Sequence, residues 1–408
     1  MQTNRLHHLL SLAVLVVFGL GSALPASFAG TRPALGFPPN AASALAVGFH
    51  LDGRYIFDAN GNNFIMRGIN HPHAWYPART GSFADIKATG ANTIRVVLSS
   101  GHIPYRTKNS ASDVANVIGL CKTNGLVCVL EVHDTTGYGE SSDAASLAQA
   151  VAYWKEIQAV LSGQEAHVII NLGNEPYGNV NANGWVNDTK NAIAEMRNAG
   201  FQHMLMVDAP NWGQDWQFIM RDNAADILTS DPLGNTVFSI HMYGVFDSYS
   251  KVEGYVSTFV NAGLPLVIGE FGYLHSDGNP DEDAIMSIAD AHGIGYLGWS
   301  WSGNSSGVEY LDMAVNFDPN QLTWWGDRII NGPHGIAKTF GDVPAGYWAL
   351  DWIERLYSSG ITGGCSTTPL LFCPEDPVTR GQMAVFLERG LHYPASFTAP
   401  NVAPTFSD

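Results

Sequence analysis

The sequence predicts an α/β fold, a (β/α)8 TIM barrel over residues 47–338, followed by a small all-α module over residues 339–393. Eight short apolar runs recur in the barrel region, and helix-like segments such as “SLAQAVAYWKEIQAVL” separate most of them. Runs that are apolar on both faces are typical of parallel strands covered by helices. The region is also long enough for such a barrel, which typically needs roughly 250 residues.

The predicted strands are, in chain order, “FIMRGIN”, “TIRVVLS”, “LVCVLEVH”, “HVIINLG”, “HMLMVDAP”, “VFSIHMY”, “PLVIGEF” and “IGYLGWSW”. An open, doubly wound sheet is the alternative for this alternation of strands and helices. Open sheets that bind dinucleotides carry a glycine-rich turn after the first strand. No such glycine fingerprint follows “FIMRGIN”, so the closed barrel is the preferred prediction.

Composition excludes some partners and permits others. Hydrophobic residues make up 46% of the chain and charged residues 14%, which is enough apolar material for a large core. The formal net charge is −17. This acidity argues against nucleic acid, because nucleic-acid binding needs a basic surface. A neutral polymer is compatible with the charge, and we expect a monomer.

Residues 1–29 have the pattern of a secretory signal peptide. Arg5 supplies positive charge, “LLSLAVLVVFGLG” is the apolar segment, and “ASFA” offers small residues for cleavage after Ala29. The apolar segment is shorter than a typical membrane span. We therefore expect a secreted protein, with an uncleaved anchor as the alternative. Residues 30–46, rich in Pro, Ala and Gly, are predicted to be a linker.

The four cysteines fall into two pairs. Cys365 and Cys373 flank a short loop, and export permits a disulfide between them. Cys121 and Cys128 flank a predicted helix-to-strand connection, where a bridge and two buried thiols are equal alternatives. No Cys/His spacing resembles a zinc site, so no metal is expected there.

In a (β/α)8 barrel the functional side chains lie at the carboxyl ends of the strands. The predicted strands end in an unusual succession of His, Glu, Arg and Trp. The polar and aromatic residues near these ends are Asn70, His71, His73, Arg95, His133, Asp134, Asn174, Glu175, Asp208, Asn211, Trp212, His241, Tyr243, Glu270, Trp299 and Trp301. A structural role is an equal alternative for any single one, but the set predicts a site.

Two of these residues, Glu175 and Glu270, follow the fourth and seventh strands, whose ends would face each other across the barrel mouth. Two carboxylates that face each other are the equipment for glycoside hydrolysis. One carries a proton for the leaving oxygen, and the other stays ionised. Arg95 is expected to keep Glu270 charged and Tyr243 to hydrogen-bond it, whereas no comparable cation is evident beside Glu175.

The motifs resemble family 5 of the glycoside hydrolases over about residues 47–338. The segments “NLGNEPYG”, “VIGEFGY”, “RGINHPHAWY” and “YLGWSWSGN” carry this resemblance. “LEVHDTTG”, “WSWSGN” and “FDPNQLTWWGDRIINGPHGI” are similar to the bacterial endo-β-1,4-mannanases of the family. The resemblance implies β-mannan as the substrate and a reaction without cofactor or metal. A structural calcium ion is left open.

The resemblance also implies roles for matching residues. Glu175 would be the general acid/base and Glu270 the nucleophile of a retaining double displacement. Asn174 would bond the sugar 2-hydroxyl, and Trp299 would form the floor of the −1 subsite. The residues expected to position carboxylates and substrate are Arg95, His133, His241 and Tyr243. Stacking on neighbouring sugars and packing in the core are equal alternatives for Trp75, Trp212 and Trp301.

Two alternatives concern the activity. An endo-β-1,4-glucanase (cellulase) has the same fold, since mannose and glucose differ only at C2 and no single residue in the sequence reads that hydroxyl. A non-catalytic, wall-attached carbohydrate-binding protein would use an inactive barrel. Both glutamates lie within complete family motifs, “NLGNEPYG” and “VIGEFGY”, which argues against this second alternative.

Residues 339–393 are predicted to form two amphipathic helices, the second capped by Thr379. The residues expected to be buried are Trp348, Ile353 and Leu356 in the first helix and Met383, Phe386 and Leu387 in the second. The segment resembles an S-layer homology domain. This implies attachment to an anionic cell-wall polymer, with Thr362, Gly363 and Arg380 as candidate contacts. A purely structural appendage is the alternative.

The last residues resemble the beginning of that module. “APTFSD” repeats “AKTFGD”, so that Phe406 corresponds to Phe340. Residues 394–408 are therefore predicted to be a linker and the start of a second, truncated repeat. Together with the signal peptide, the module predicts a secreted protein associated with the cell wall or cell surface.

Overall fold

The structure is a computed structural model that describes residues 48–337, 340–343, 347, 349–368 and 370–391. The predicted signal peptide, the linker at 30–46, the second repeat and Trp348 lie outside the described residues. In the part of the chain that is described, no helix is long and apolar enough to cross a bilayer.

Eight parallel strands close into a barrel, which confirms the predicted TIM barrel and excludes the open sheet. Closure is direct, because the last strand pairs with the first and Tyr296 lies opposite Arg67. The barrel strands are β3 (Arg67–His71), β4 (Thr93–Leu98), β5 (Val127–Val132), β6 (Val168–Asn171), β7 (Leu205–Asp208), β8 (Thr236–Met242), β9 (Leu266–Phe271) and β10 (Gly295–Gly298).

Helices surround the barrel and begin and end at residues that suit their termini. Ser146 forms a reciprocal capping box with Gln149, and Gly263 and Gly293 end two helices in the left-handed conformation. The helices of this region are α1 (Ser82–Ala88), α2 (Ala111–Thr123), α3 (Leu147–Glu156), α4 (Gln158–Leu161), α5 (Gly184–Asn198), α6 (Ile219–Ser230), α7 (Tyr249–Ala262), α8 (Glu282–His292) and α9 (Trp324–Asn331).

Inside the barrel, the filling changes from apolar to polar along the strands. Successive residues of a strand point to opposite faces, so one set packs under the helices and the other fills the interior. The apolar part of the interior includes Val129, Ile169, Met206, Val237 and Val267. The polar layer, nearer the carboxyl ends of the strands, contains Arg95, Glu131, Asn171, Asp208, His241 and Glu270. The polar layer therefore rests on an apolar floor.

An antiparallel hairpin, which the sequence prediction missed, precedes the barrel. Its strands are β1 (His50–Asp52) and β2 (Tyr55–Phe57). Between them Gly53 has φ +58°, a conformation that glycine adopts readily in tight turns. Phe49 and Ile56 pack with Met66 and the other apolar residues of the barrel interior. Met66 directly precedes β3, so the hairpin covers the amino end of the barrel.

The C-terminal module is not all-α in its described part, so that expectation is wrong. It contains α10 (Leu350–Ser358), a hairpin of β11 (Ser366–Thr367) and β12 (Leu370–Leu371), and α11 (Arg380–Leu391). The predicted disulfide joins Cys365 to Cys373 with the Cα atoms 5.9 Å apart. Cys121 and Cys128 are free and buried, which decides against a bridge between them.

The predicted burial of the module is only partly confirmed. Ile353 is buried, and Thr379 caps α11 as expected, its hydroxyl accepting from the Gln382 N–H. Met383 and Leu387 are exposed by 45% and 60%, so their predicted burial is wrong. The physical reason is that residues outside the two helices fill this small core. The rings of Phe340 and Phe372 lie 5.3 Å apart there.

Two buried indoles fasten the outer helices to the strand ends. Trp154 Nε1 donates to the Leu172 carbonyl at 3.0 Å and Trp185 Nε1 to the Asp208 carbonyl at 2.9 Å.

Trp154→Phe would leave the Leu172 carbonyl buried without this donor. We expect a loss of about 1–3 kcal/mol in the free energy of unfolding, measured by urea denaturation. Trp324→Phe, the same change at a 59% exposed side chain, is the control and should stay within about 0.5 kcal/mol. Equal losses would mean that the indole bond contributes nothing.

Candidate active site

Arg95, on β4, lies fully buried at the centre of the polar layer, and its N–H groups all have acceptors. Nε donates to Asn171 Oδ1 (2.9 Å), Nη1 to Asn70 Oδ1 (3.0 Å) and Glu270 Oε1 (2.6 Å), and Nη2 to Asn174 Oδ1 (2.8 Å) and Asp208 Oδ2 (2.9 Å). Burial opposes the guanidinium charge, but the neighbouring carboxylates, Glu131 foremost, raise the pKa of Arg95 above its usual range. Arg95 is thus a permanent cation among fixed acceptors.

Glu270, on β9, is hydrogen-bonded on both oxygens. Arg95 binds Oε1, and the Tyr243 hydroxyl donates to Oε2 at 3.1 Å. Burial raises the pKa of Glu270 and the charge of Glu175 adds to it, while His241 and Arg95 oppose the rise. Burial and Glu270 also raise the pKa of Tyr243, so its hydroxyl stays a donor. Ionisation of Glu270 therefore depends on the two cations beside it.

Glu175 follows β6 in a strained loop. Its φ is +40°, which is uncommon for a residue with a side chain. Gly173 lets the loop approach its neighbour closely, because a Cβ there would lie 2.6 Å from Thr135 Oγ1. The Glu175 N–H donates to Asp208 Oδ2 at 3.3 Å. These contacts direct the carboxylate of Glu175 to the barrel mouth.

His241 contradicts the expectation that no cation lies beside Glu175. Its Nδ1 is 2.8 Å from Glu175 Oε1 and 3.6 Å from Glu270 Oε2, and its Nε2 is 3.3 Å from Asp208 Oδ2. Burial opposes its charge, but Glu270 and Asp208 outweigh burial and raise the pKa of His241 to about 10. The register of β8 shifts between Ile240 and His241, and such bulges redirect side chains in ways that a sequence does not show.

The centre of the site is compact. Glu175, His241 and Glu270 each contribute one polar atom to a group in which all three atoms lie within 4.8 Å of one another. Two carboxylates and an imidazole can bind a metal ion, but only a neutral imidazole is a ligand. Nδ1 of His241 lies close to both carboxylates and the raised pKa favours its protonated form, so this group is suited to proton transfer.

One wall of the site is aromatic. The ring of His133 stacks on Trp299 with centroids 5.5 Å apart, and Trp75 meets the same ring edge-on at 5.1 Å. His133 Nδ1 lies 2.8 Å from Glu131 Oε1. Trp299 Nε1 donates to Asn304, and Trp75 is 41% exposed. The ring contacts of His133 are thus with this wall, and its side-chain hydrogen bond is with Glu131.

A second aromatic surface lies beyond Glu175. Trp212 covers Gly137, where a Cβ would meet the indole at 2.3 Å, and the Gly137 N–H donates to the Glu175 carbonyl. Trp216, which the sequence analysis did not single out, is 48% exposed. Trp301 is fully buried, so of its two alternatives the structure supports core packing.

The remaining polar residues at the strand ends have structural contacts. Asn174 donates from Nδ2 to Thr136 Oγ1 at 2.9 Å, and His73 contacts Asp113. His71 is buried beside Phe83, and burial lowers its pKa to about 3, so it is a neutral core histidine.

Three residues of the polar layer have no role in the sequence-based prediction: Glu131, Asn171 and Asp208. The sequence feature that could have identified them is a polar residue within an otherwise apolar strand. Glu131, for example, stands two positions before His133 in “LEVH”, and residues two apart on a strand face the same side.

The sequence model of the cellulase family, glycosyl hydrolase family 5, matches residues 57–305. The chain belongs to this family. It is 59% identical over 299 residues to the mannan endo-1,4-β-mannosidase of Streptomyces lividans, an alignment that covers 73% of this chain and 77% of the relative. As a family 5 member, the protein is a glycoside hydrolase.

Two further relatives bear on the site. The β-mannanase/endoglucanase A of Caldicellulosiruptor saccharolyticus is 60% identical over 67% of this chain and 20% of its own length. The mannohexaose complex of the Thermomonospora fusca β-mannanase superposes with a TM-score of 0.69 at 59% identity. It covers 71% of this chain and 96% of the relative's chain.

Tyr243→Phe tests the second donor to Glu270 in this glycoside hydrolase. Removing a hydrogen bond to a charged group costs about 1.5–3 kcal/mol, so we expect kcat to fall roughly 10- to 150-fold. Steady-state kinetics on a soluble β-1,4-linked polysaccharide measure this. Tyr153→Phe is the matched control, because its buried hydroxyl donates to the Asn109 carbonyl, away from the mouth. An unchanged kcat for Tyr243→Phe would contradict the assigned contact.

Proposed function

We propose that the protein is a retaining endo-β-1,4-mannanase that hydrolyses internal bonds of mannan, glucomannan and galactomannan. The observation that carries this proposal is the pair of carboxylates at the mouth, whose oxygens lie within 4.8 Å. Retaining enzymes keep the two carboxyl groups only about 5–5.5 Å apart, because one attacks the sugar directly and no water has to fit between them.

The different contacts of the two carboxylates support different roles for them. Glu270, held by Arg95 and Tyr243, attacks the anomeric carbon as the ionised nucleophile. Glu175, which is more exposed, donates its proton to the leaving oxygen and later takes a proton from the attacking water. Two cations beside Glu270 favour its ionised form. No step requires a metal or an organic cofactor.

The surrounding residues suit recognition of the sugar. The Oδ1 atom of Asn174 is held by Arg95, and Nδ2 has one N–H beyond the bond to Thr136, which leaves a donor for the 2-hydroxyl. Trp299, with His133 stacked beside it, offers an apolar face to the ring at the −1 subsite. The aromatic surface beyond Glu175 suits a sugar on the leaving-group side. Contacts on both sides of the scissile bond favour internal cleavage of a polymer.

The choice of mannan rests on the relatives. The Streptomyces lividans protein is named a mannan endo-1,4-β-mannosidase, and the Thermomonospora fusca protein is described with mannohexaose. A second candidate is endo-β-1,4-glucanase activity, because the Caldicellulosiruptor saccharolyticus relative is named for both activities, although this chain aligns with 20% of that protein. A non-catalytic carbohydrate-binding protein would not need the cationic support of Glu270.

We further propose that the enzyme is secreted, acts as a monomer and is attached to a cell-wall polymer through an S-layer homology domain at 339–393. The signal-peptide pattern of residues 1–29 and the two helices of the module support this proposal. Thr362 and Gly363 follow α10 and Arg380 begins α11, so the candidate contacts occur at the ends of the two helices.

Product analysis on linear β-1,4-mannan tests the activity. We expect mannobiose and mannotriose, and proton NMR should show the β-anomer first because double displacement retains configuration. Carboxymethyl cellulose is the parallel substrate. Cleavage of the glucan alone would reject mannan but keep the mechanism. An absence of products from both would favour the binding-protein alternative.

The same assay tests the two glutamates. Glu175→Gln and Glu270→Gln should each reduce kcat by roughly 10⁴-fold. Glu195→Gln changes a half-exposed glutamate on the outer helix α5 and should have no effect. Full activity in either of the first two variants would rule out the proposed chemistry.

Cosedimentation with purified bacterial cell walls tests attachment. The full chain should bind weakly, since one module lacks the avidity of several, and a chain that ends at residue 338 should stay in solution while still hydrolysing soluble mannan. Equal sedimentation of both proteins would assign wall binding to the barrel and reject the module as the anchor.

A further inference from the structure

Asp208 is a fully buried carboxylate to which neither the sequence analysis nor the proposed chemistry gives a role. It ends β7 in the centre of the polar layer. Oδ1 accepts from Asn171 Nδ2 at 3.0 Å. Oδ2 accepts from Arg95 Nη2 at 2.9 Å and from the Glu175 N–H at 3.3 Å, and lies 3.3 Å from His241 Nε2. Asp208 thus touches both cations of the site and the backbone of Glu175.

The charge on His241 depends on its neighbours, because the ring is wholly buried. Three carboxylates lie within 4 Å of its nitrogens, those of Glu175, Glu270 and Asp208. The other titratable or charged groups around this centre are Arg95, Glu131, His133, Tyr243 and His275. A buried imidazolium needs anions beside it to keep its proton.

Two of the three carboxylates change charge during the proposed reaction. Glu270 becomes a neutral ester when it bonds to the sugar, and Glu175 alternates between its protonated and ionised forms. Asp208 forms no covalent bond and transfers no proton in the proposed reaction. Among the described carboxylates that contact His241, it is the one whose negative charge persists through the whole cycle.

We propose that Asp208 is a positioning residue that keeps His241 in its imidazolium form through both halves of the reaction. Imidazolium carries a proton on both nitrogens: Nδ1 lies 2.8 Å from Glu175 Oε1 and donates to it, and Nε2 forms an ion pair with Asp208 Oδ2 at 3.3 Å. The charge on Nδ1 stabilises the carboxylate that forms when Glu175 gives its proton to the leaving oxygen. The inference rests on the proposed function for this catalytic consequence.

The ionisation behaviour of the pair agrees with this geometry. Burial opposes ionisation of Asp208, but His241 and Arg95 outweigh it and lower the pKa of the carboxyl group below its usual range. With the pKa of His241 raised to about 10, both partners are charged throughout the neutral range. The stability that the raised His241 pKa contributes is fully present below the ordinary value near 6.5 and is lost as pH rises through about 10.

Asp208→Asn, made in the full chain, removes the charge and keeps an oxygen that can still accept from Arg95 and from the Glu175 N–H. Losing an opposite charge at this distance should lower the pH at which His241 loses its proton by about 1–3. Nitrogen-15 NMR of the His241 ring, assigned with His241→Gln, measures this without substrate. The rate on mannan at pH 9 relative to pH 6 should fall about 2- to 80-fold below the wild-type ratio, the range that a shift of 1–3 from about 10 produces.

Asp208→Glu retains the negative charge and is the matched control. It should keep the wild-type dependence of rate on pH even if the changed length lowers kcat. The proposal is overturned if Asp208→Asn and wild type titrate His241 at the same pH. It is also overturned if the wild-type ring already titrates near 6.5, a result that needs no folded variant. Absence of mannan hydrolysis by the wild type would instead reject the proposed function, and the NMR titration would still report on the pair.

Discussion

A buried guanidinium that must satisfy all of its donors is the constraint on which the rest of the site depends. Removing a charged group from water costs several kcal/mol unless opposite charges and hydrogen bonds replace the water. Arg95 meets this requirement with five hydrogen bonds to groups from β3, β6, β7 and β9 and from the loop after β6. The same bonds fix the carboxylate of Glu270 and the side chain of Asn174, which directly precedes Glu175, so charge stabilisation and alignment have one cause.

The barrel interior differs in polarity between the two ends of the strands. Toward their amino ends the interior is apolar and closed by the β1–β2 hairpin, and toward their carboxyl ends it is polar. A buried ion pair strengthens when its neighbours exclude water. The apolar floor therefore supports the polar layer electrostatically as well as sterically.

Sequence reasoning predicted much of this arrangement, and its failures have physical causes. The eight strands follow from apolar runs, and Glu175 and Glu270 from polar residues where such runs end. The contact between His241 and Glu175 lies beside a register shift in β8, and a hydropathy pattern does not show strand register. Asp208 was predicted at a strand end but without a role, because its role depends on contacts with Arg95, Glu175 and His241, which are distant from it in sequence. Met383 and Leu387 were expected inside because helical periodicity shows which residues share a face, not whether anything covers it.

All five N–H groups of Arg95 have acceptors, and this also affects how the sequence of such an enzyme can change in evolution. The members of the polar layer contact one another through hydrogen bonds and ion pairs, so a substitution at one of them changes the contacts of several others. The side chains of Trp75 and Trp216 are 41% and 48% exposed, and among the described residues neither forms a hydrogen bond with this layer; Trp216 donates to Asn179 instead. Proteins that evolve from this one would therefore change their polysaccharide preference through substitutions in the loops at the barrel mouth. The residues of the polar layer would be retained together.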